Sequence, residues 1–224
     1  MKRSEINRAI VWARELLKEK EMALPDMADW DIPRWQKETG NLDVIRRVML
    51  GWDVTDFGMD DFAHVGAVLY TVRNGCITAP EIGVPYCEKL ILMQDGQRLP
   101  KHYHVFKTED IICRAGRLQV RLWNTERDGR ELSTDVQVRM DGRKVCLKAG
   151  EPVEITPGNS VTLTPYLAHV FGPVPGSGSL VAGEVSRVND DRTDNYFLER
   201  TLRYAHIEED EVMICPLCNE YGRL

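Results

Sequence analysis

Short β-type runs, each closed by a turn signal after a few residues, fill the chain from residue 65 to residue 188. The dipeptides Asn74-Gly75, Asp95-Gly96 and Asp141-Gly142 are typical of tight turns between antiparallel strands. Many short strands at close spacing, without alternating helices, predict an antiparallel sandwich or barrel. The predicted strands span residues 65–72, 89–93, 111–113, 118–123, 136–139, 145–147, 153–155, 161–164 and 180–188.

The segments on either side of this region have a different pattern. Ser4 is predicted to cap a first helix, because apolar residues recur after it at steps of three and four up to Leu17, and Pro25 ends the pattern. We expect a short helix within residues 42–50 and another near residues 196–204. The chain is therefore predicted to form one structural unit: a helical arm (1–50), a β-barrel (51–189) and a short helical C-terminal extension (190–224).

Composition indicates which kinds of molecule the protein is unsuited to bind. Hydrophobic residues make up 43% and charged residues 29% of the chain, as in soluble globular proteins. The net charge of −6 disfavours binding to nucleic acid or to anionic lipid. The N-terminus lacks the apolar core of a secretory signal, and six scattered cysteines fit reduced thiols, so we expect a cytoplasmic protein that does not bind membranes.

The residues with the most specific spacing are metal-ligand types. His102 follows Gly96 after five intervening residues, and His104 follows His102 after one. Glu109 comes after four more residues, and Gly116 after a further six. In a strand, His102 and His104 would project from the same face about 6–7 Å apart, close enough to share one ion. Glu109 follows after a bend, and His169, on a distant predicted strand, is the candidate fourth ligand. Imidazole and carboxylate together suit a first-row divalent ion.

This spacing resembles the first motif of the cupin family, which it matches in full. The second cupin motif carries the remaining histidine after a Pro-x-Gly turn. Here Pro157-Gly158 precedes His169, with Gly158 eleven residues before it, a longer spacing than is usual. The resemblance implies an all-β dominated fold, a jelly-roll-like antiparallel barrel.

A closer resemblance covers nearly the whole chain, including the arm. The segments 51–58, 71–75, 100–104 and 184–191 are similar to those of bacterial D-lyxose isomerases. That resemblance implies interconversion of D-lyxose with D-xylulose and of D-mannose with D-fructose, a sugar substrate, and a homodimer. It also implies one divalent ion, most often Mn²⁺. Ligand type alone also accepts Co²⁺, Fe²⁺, Ni²⁺ or Zn²⁺.

Aldose–ketose exchange moves a proton between C1 and C2, so a side-chain base must reach both carbons. Glu184 is the first candidate, because it shares one face of a predicted strand with the small residues Ala182 and Ser186. Lys89, at the start of an apolar run, is the second candidate for a catalytic role. Asp194 is predicted to bind the sugar from the extension. The alternative for Glu184 is a surface glutamate, for Lys89 a lysine at a strand edge, and for Asp194 an ordinary turn residue.

Two other functions use the same ligand set. One is an iron-dependent oxygenase or oxalate-type enzyme, and the other is a non-enzymatic sugar-binding cupin. Cys215 and Cys218 have the two-residue spacing of zinc and redox motifs, but the lack of a second pair nearby favours free thiols. Several aromatic residues could line a sugar pocket, although core packing is their default role: Trp30, Trp35, Trp52, Phe57 and Phe62.

Overall fold

The computed structural model of the protein describes residues 1–38 and 42–224. Three α-helices precede the first strand: α1 (Arg3–Glu19), α2 (Ile32–Lys37) and α3 (Asp43–Arg47). The short helix expected within residues 42–50 is thus present as α3. Ser4 is not the cap of α1: the N-cap is Lys2, and the Ser4 hydroxyl instead donates a 2.8 Å hydrogen bond to Asp210. The helix begins earlier because the Lys2 carbonyl already accepts from the N–H of Ile6 at 3.1 Å.

Thirteen strands follow within the described residues. They are β1 (Gly51–Thr55), β2 (Ala67–Gly75), β3 (Gly83–Met93), β4 (His102–Tyr103), β5 (Glu109–Ala115), β6 (Leu118–Asn124), β7 (Val136–Met140), β8 (Arg143–Leu147), β9 (Val153–Ile155), β10 (Ser160–Leu163), β11 (Leu167–Pro173), β12 (Leu180–Arg187) and β13 (Tyr196–Phe197). Every predicted run overlaps one of them. Strands β4 and β11 were expected only as the strands that carry His102 and His169, and β1 and β13 were not predicted.

The strands form two antiparallel sheets. One has the order β1-β2-β3-β12-β5-β10-β7-β8, and the other has the order β13-β4-β11-β6-β9. Strand β12 lies between β3 and β5, so Glu184 is directly paired with Lys89 on one side and with Ile111 on the other. The predicted all-β architecture is therefore confirmed, and its register places the candidate base beside the candidate lysine.

A first apolar cluster fills the space between the sheets. It includes Ile91, Ile111, Leu122 and Leu163, each at most 2% exposed. Burying a side chain of this size contributes about 1.5–3 kcal/mol relative to leaving it in water. This core holds the strand ends that carry the polar site described below.

A second cluster joins the arm to the outer face of the larger sheet. The apolar side of α1, with Ile6 and Ile10 fully buried, packs on Tyr70 and Leu92 of that sheet. Trp52 lies edge-on to Tyr70, with ring centroids 4.8 Å apart. The arm thus packs on the barrel of its own chain. Trp52 takes part in core packing, the default role given for it in the sequence analysis.

The C-terminal extension is mostly non-helical. The helix expected near residues 196–204 is absent from this described segment: Tyr196 and Phe197 instead form β13 and pair with Tyr103 and His102 of β4. The backbone is held by the sheet, which outweighs local helix preference. The only regular helical turn described in the extension is the 3-10 turn Tyr221–Arg223.

Ion pairs join the two ends of the chain. The guanidinium of Arg3 is fully buried and bonds the carboxylates of Glu209 and Glu220. All six cysteines are free thiols, including the buried Cys215 and Cys218. Among the described residues, no helix is both long and apolar enough to cross a membrane.

Candidate metal centre and active site

Neighbouring strands bring the predicted ligands together. His102 on β4 is paired directly with His169 on β11, and Glu109 is the first residue of β5. Gly116 allows the turn that ends β5: its φ is +83°, and a Cβ there would lie 2.4 Å from the carbonyl oxygen of Ser179. A glycine is required at that motif position because a side chain would clash with the backbone.

The three histidine side chains meet, and the Glu109 carboxylate contacts two of them. The Nε2 atoms of His102 and His169 are 3.1 Å apart. Oε1 of Glu109 lies 3.3 Å from Nε2 of His104 and 3.3 Å from Nε2 of His169. Atoms that share one ion at about 2.1 Å, at right angles to each other, would be about 3 Å apart. The observed spacing therefore fits a single ion.

Hydrogen bonds on the far side of each ring orient the imidazoles. Nδ1 of His102 lies 2.8 Å from the Pro100 carbonyl, Nδ1 of His169 lies 3.0 Å from the Leu167 carbonyl, and Nδ1 of His104 contacts the Asp194 carbonyl. A carbonyl oxygen only accepts, so each Nδ1 carries the proton and each Nε2 offers a lone pair. Nε2 of His104 is buried and otherwise lacks a hydrogen-bond partner among the described residues. These residues fit a cation.

The protonation states suit ligation. Burial and the neighbouring imidazoles hold the pKa of His102 well below its usual value, and burial lowers the pKa of His169 to about 4. Burial alone would raise the pKa of Glu109, but the ammonium of Lys107 and the His104 ring more than offset it, so this pKa lies well below its usual value. At neutral pH the cluster therefore presents neutral His102 and His169 beside an anionic Glu109.

Lys107 is the site residue that the sequence argument missed. Its side chain is 5% exposed, and its ammonium lies 2.8 Å from Oε2 of Glu109 and 3.1 Å from Oε1 of Glu184. It also donates to the Asn189 side-chain oxygen at 2.9 Å. Burial opposes the charge, but the carboxylates raise the pKa of Lys107. Lys107 lies in the loop before β5, where no strand alternation indicates which way a side chain points.

Glu184 and Lys89 both point into the barrel. Glu184 is 5% exposed, and its Oε1 accepts a hydrogen bond of 3.2 Å from the Ser186 hydroxyl. The Lys89 ammonium is 3.7 Å from Glu184 and 3.5 Å from Asp191, so its ion pairs are long. Burial opposes the charge of Lys89, but Asp191 and Glu184 raise its pKa overall. Neither Glu184 nor Lys89 is a surface residue.

Asp191 and Arg203, which sequence analysis also missed, bring the extension to the same wall. Arg203 donates to Asp191 and, at 2.8 Å, to Asp53 on β1. Burial opposes ionisation of Asp191, but Arg203 and Lys89 hold its pKa well below the usual value. No local pattern marks this trio, because Asp53 and Arg203 are far apart in the sequence.

These groups surround a cavity next to the histidine cluster. Its polar lining consists of Lys89, His102, Lys107, Glu109, Glu184, Asp191, Asn195 and Arg203. Its aromatic lining is Phe57, Phe171 and Phe197, so only one of the five aromatic residues considered from the sequence reaches it. A second cavity meets the first at Lys89, Asp191 and Arg203. Charged and polar groups dominate the wall that the two cavities share, as in a binding site for a polyol.

Asp194 is not among the residues that line this cavity. Its carboxylate accepts hydrogen bonds from backbone N–H groups of residues 105–107. The structure places Asp194 outside the wall of this cavity, and its predicted sugar contact stays a prediction. The Cys215/Cys218 pair is likewise apart from the site. Within residues 1–38 and 42–224, the one group of three or more potential ligands that meets is His102, His104 and His169.

The chemistry open to this arrangement follows from its charges. A buried carboxylate, Glu184, and two ammonium groups face a common space beside the cluster that fits a cation. A carboxylate can move a proton, while ammonium groups and a cation stabilise negative charge on oxygen. The site thus suits proton transfer next to a carbonyl group.

Comparison with known proteins places the chain within one family. The sequence profile described as D-lyxose isomerase matches residues 1–221. A D-lyxose/D-mannose isomerase of Escherichia coli is 40% identical over 223 residues, covering 99% of this chain and 98% of the relative. Another protein with the same name, from Serratia proteamaculans, is 38% identical over 226 residues, covering 100% of this chain and 99% of the relative.

Solved structures share the fold at lower identity. An L-ribose isomerase of Acinetobacter, in complex with L-ribose, superposes with a TM-score of 0.61 at 18% identity, covering 93% of this chain and 98% of that chain. The L-ribose isomerase of Geodermatophilus obscurus gives a TM-score of 0.59 at 16% identity, with the same coverage. At these identities, the likeness concerns the fold alone.

Proposed function

The chain belongs to the D-lyxose isomerase family, and we propose that it interconverts D-lyxose with D-xylulose and D-mannose with D-fructose. The main support for this proposal is a pair of contacts made by the Lys107 ammonium. It forms ion pairs with Glu184 and with Glu109, next to three imidazoles. It puts a candidate base, a cation and a metal-ligand set around one buried space. Aldose–ketose exchange needs these groups together.

We further propose that His102, His104, Glu109 and His169 hold one divalent ion, with Mn²⁺ as the first candidate. Support comes from the 3.1–3.3 Å spacing of their ligand atoms and from the buried Nε2 of His104. When bound, the ion polarises the sugar carbonyl and stabilises negative charge on its oxygen. Imidazole and carboxylate ligands also accept Co²⁺, Fe²⁺, Ni²⁺ or Zn²⁺, so the choice of metal needs a direct test.

Glu184 is proposed as the base that moves the proton between C1 and C2. Its carboxylate is buried in the cavity wall, and its orientation is fixed by Lys107 at 3.1 Å and by Ser186 at 3.2 Å. A fixed carboxylate can take a proton from one carbon and return it to the next without leaving its place. Between the two transfers the sugar is an enediolate, and a hydroxyl proton moves from O2 to O1 to complete the exchange.

Two lysines are proposed to bind the sugar oxygens. Lys107 lies between Glu109 and Glu184, where an ammonium stabilises negative charge that develops on oxygen. Lys89 makes only long ion pairs, of 3.5 and 3.7 Å, which leaves N–H donors for a sugar hydroxyl. The aromatic rings of Phe57 and Phe197 complete the wall and limit access of water.

The direct test is to incubate the purified protein with D-lyxose and with D-mannose, with added Mn²⁺ and with chelator, and to measure ketose. We expect D-xylulose and D-fructose with Mn²⁺ and loss of both products with chelator. No ketose from either sugar, under any of the five metals named above, would refute the proposal. Oxygen consumption without ketose would point to the iron-dependent oxygenase alternative.

The assembly and location are also proposals. The exposed apolar residues Ile77 and Phe106, 60% and 66% exposed, flank a groove suited to a second copy, and we propose a homodimer. Light scattering after size-exclusion chromatography should give twice the chain mass. The six free thiols suit a reducing cytoplasm, which fractionation of the native host would test.

A further inference from the structure

We infer that Asp194 is a positioning residue: it fixes the ring of His104 and the backbone that carries Lys107, and so sets the geometry of the metal centre from the C-terminal extension. This inference rests on the proposed function for the roles of His104 and Lys107. It is an alternative to the sugar contact expected from the sequence. The contacts that support it come from both the side chain and the backbone of Asp194.

The Asp194 carboxylate accepts hydrogen bonds from three consecutive backbone N–H groups. Oδ1 accepts from Val105 at 2.7 Å and from Phe106 at 3.0 Å, and Oδ2 accepts from Lys107 at 2.8 Å. These three N–H groups have no other acceptor among the described hydrogen bonds. This one side chain therefore supplies the acceptors for all three N–H groups, and its loss would leave these donors unpaired.

The backbone of the same residue holds a metal ligand. The Asp194 carbonyl oxygen accepts the Nδ1 proton of His104, which leaves Nε2 of that ring facing the cluster. Such a bond sets both the tautomer and the orientation of a ligating histidine. Asp194 therefore acts on two site residues, one through its carboxylate and one through its carbonyl.

Asp194 is itself placed by the fold of the extension. Its N–H donates to the Asp190 carbonyl at 3.1 Å in a tight turn, and the nearby segment Tyr196–Phe197 pairs with β4. Asp194 is 6% exposed, so its hydrogen bonds are shielded from water. The packing of the extension therefore places Asp194, and Asp194 in turn orients residues of the metal centre.

The roles of substrate contact and positioning predict different results. Both carboxylate oxygens already accept backbone N–H groups, and the residue does not line the cavity that Lys107 and Glu184 line. A substrate contact would change KM for the sugar and leave metal binding intact. A positioning role would weaken metal binding by about 10- to 100-fold, the range found when partners of metal ligands are removed.

The test compares Asp194→Asn with a control, Asp95→Asn. The substitution at position 194 turns one acceptor oxygen into an NH₂ donor, so the three N–H groups cannot all be satisfied. Asp95 is matched because its carboxylate also accepts a backbone N–H, from Gly176 at 3.0 Å, but at an exposed turn. Two quantities are measured on each protein: the Mn²⁺ dissociation constant by competition with a chelating dye, and amide hydrogen exchange of residues 105–107 without metal.

We expect faster exchange at residues 105–107 and 10- to 100-fold weaker Mn²⁺ binding in Asp194→Asn alone. Unchanged exchange at these amides, or Mn²⁺ affinity equal to that of the control, would overturn the inference. The exchange experiment needs no metal and no sugar. If the native protein binds Mn²⁺ but converts neither sugar, the proposed function fails while this comparison still decides the role of Asp194.

Discussion

Replacing Lys107 with methionine should expose the electrostatic balance of the site. The native ammonium lies 2.8 Å from Glu109 and 3.1 Å from Glu184, with both carboxylates almost fully buried. Methionine retains most of the side-chain volume but removes the charge. Removing one partner of a buried ion pair costs about 3–5 kcal/mol, because the remaining charge stays without compensation. In a chain of this length, that loss lowers Tm by about 6–20 °C.

The metal state should change the size of this loss. In the chelated Lys107→Met protein, Glu109 and Glu184 both lose their shared cation. With Mn²⁺ present, the ion would offset the charge of Glu109, so the destabilisation should be smaller than with chelator. Urea unfolding at neutral pH, with chelator and with saturating Mn²⁺, measures both values.

The control for this prediction is Lys148→Met. The Lys148 ammonium lies 2.9 Å from Asp135 on the surface, with the lysine side chain 72% exposed. Water screens an exposed ion pair of this kind, so this variant should unfold almost like the native protein. Equal losses in the two variants, or a loss at Lys107 that Mn²⁺ does not reduce, would refute the electrostatic argument.

Three further predictions concern other parts of the molecule. Glu184→Gln should lower turnover by about 10²–10⁴-fold, as expected for a missing base, and should leave Mn²⁺ affinity unchanged. The control Glu88→Gln, at an outward-facing position, should remain fully active. Equal turnover in the two variants would exclude Glu184 as the base. Hydrogen bonds from Arg3 lower the pKa of Glu209 from its usual 4.5 to about 2. The folded state therefore binds fewer protons than the unfolded state in this window, so stability from this pair is present above pH 4.5 and is lost as the pH falls towards 2. Glu209→Gln should flatten that part of the acid unfolding curve, and an unchanged curve would contradict the assignment. The Thr78 hydroxyl lowers the pKa of Cys76, so iodoacetamide should modify Cys76 before the buried thiols, as peptide mass spectrometry can show.

The sequence predicted the parts of the fold that depend on local pattern. Turn dipeptides and β-rich runs located nine of the strands, and the spacing of His102, His104 and Glu109 indicated a shared site before any geometry was known. Strand β4 is only two residues long, and β11 has almost continuous burial rather than alternation, so neither has a strong local signal. The expected helix near residues 196–204 was wrong because pairing with β4 decides that segment.

The parts of the site that escaped prediction depend on contacts between distant segments. Lys107 acquires its role only when β12 places Glu184 opposite it, 77 positions away in the chain. Arg203 bonds both Asp53 and Asp191, and the Asp194 carboxylate accepts from the loop after His104. Because periodicity describes only near neighbours, such tertiary pairs need the folded structure to be recognised.

The central claim is that three imidazoles and one carboxylate hold a single cation, and equilibrium dialysis against Mn²⁺ tests it most directly. His169→Ala removes a fully buried candidate ligand, and His64→Ala removes a histidine whose side chain is 73% exposed, as a control. We predict one Mn²⁺ per chain for the native protein and for His64→Ala, and a large loss for His169→Ala. Full binding by His169→Ala, or none by the native protein, would contradict the assignment of this site.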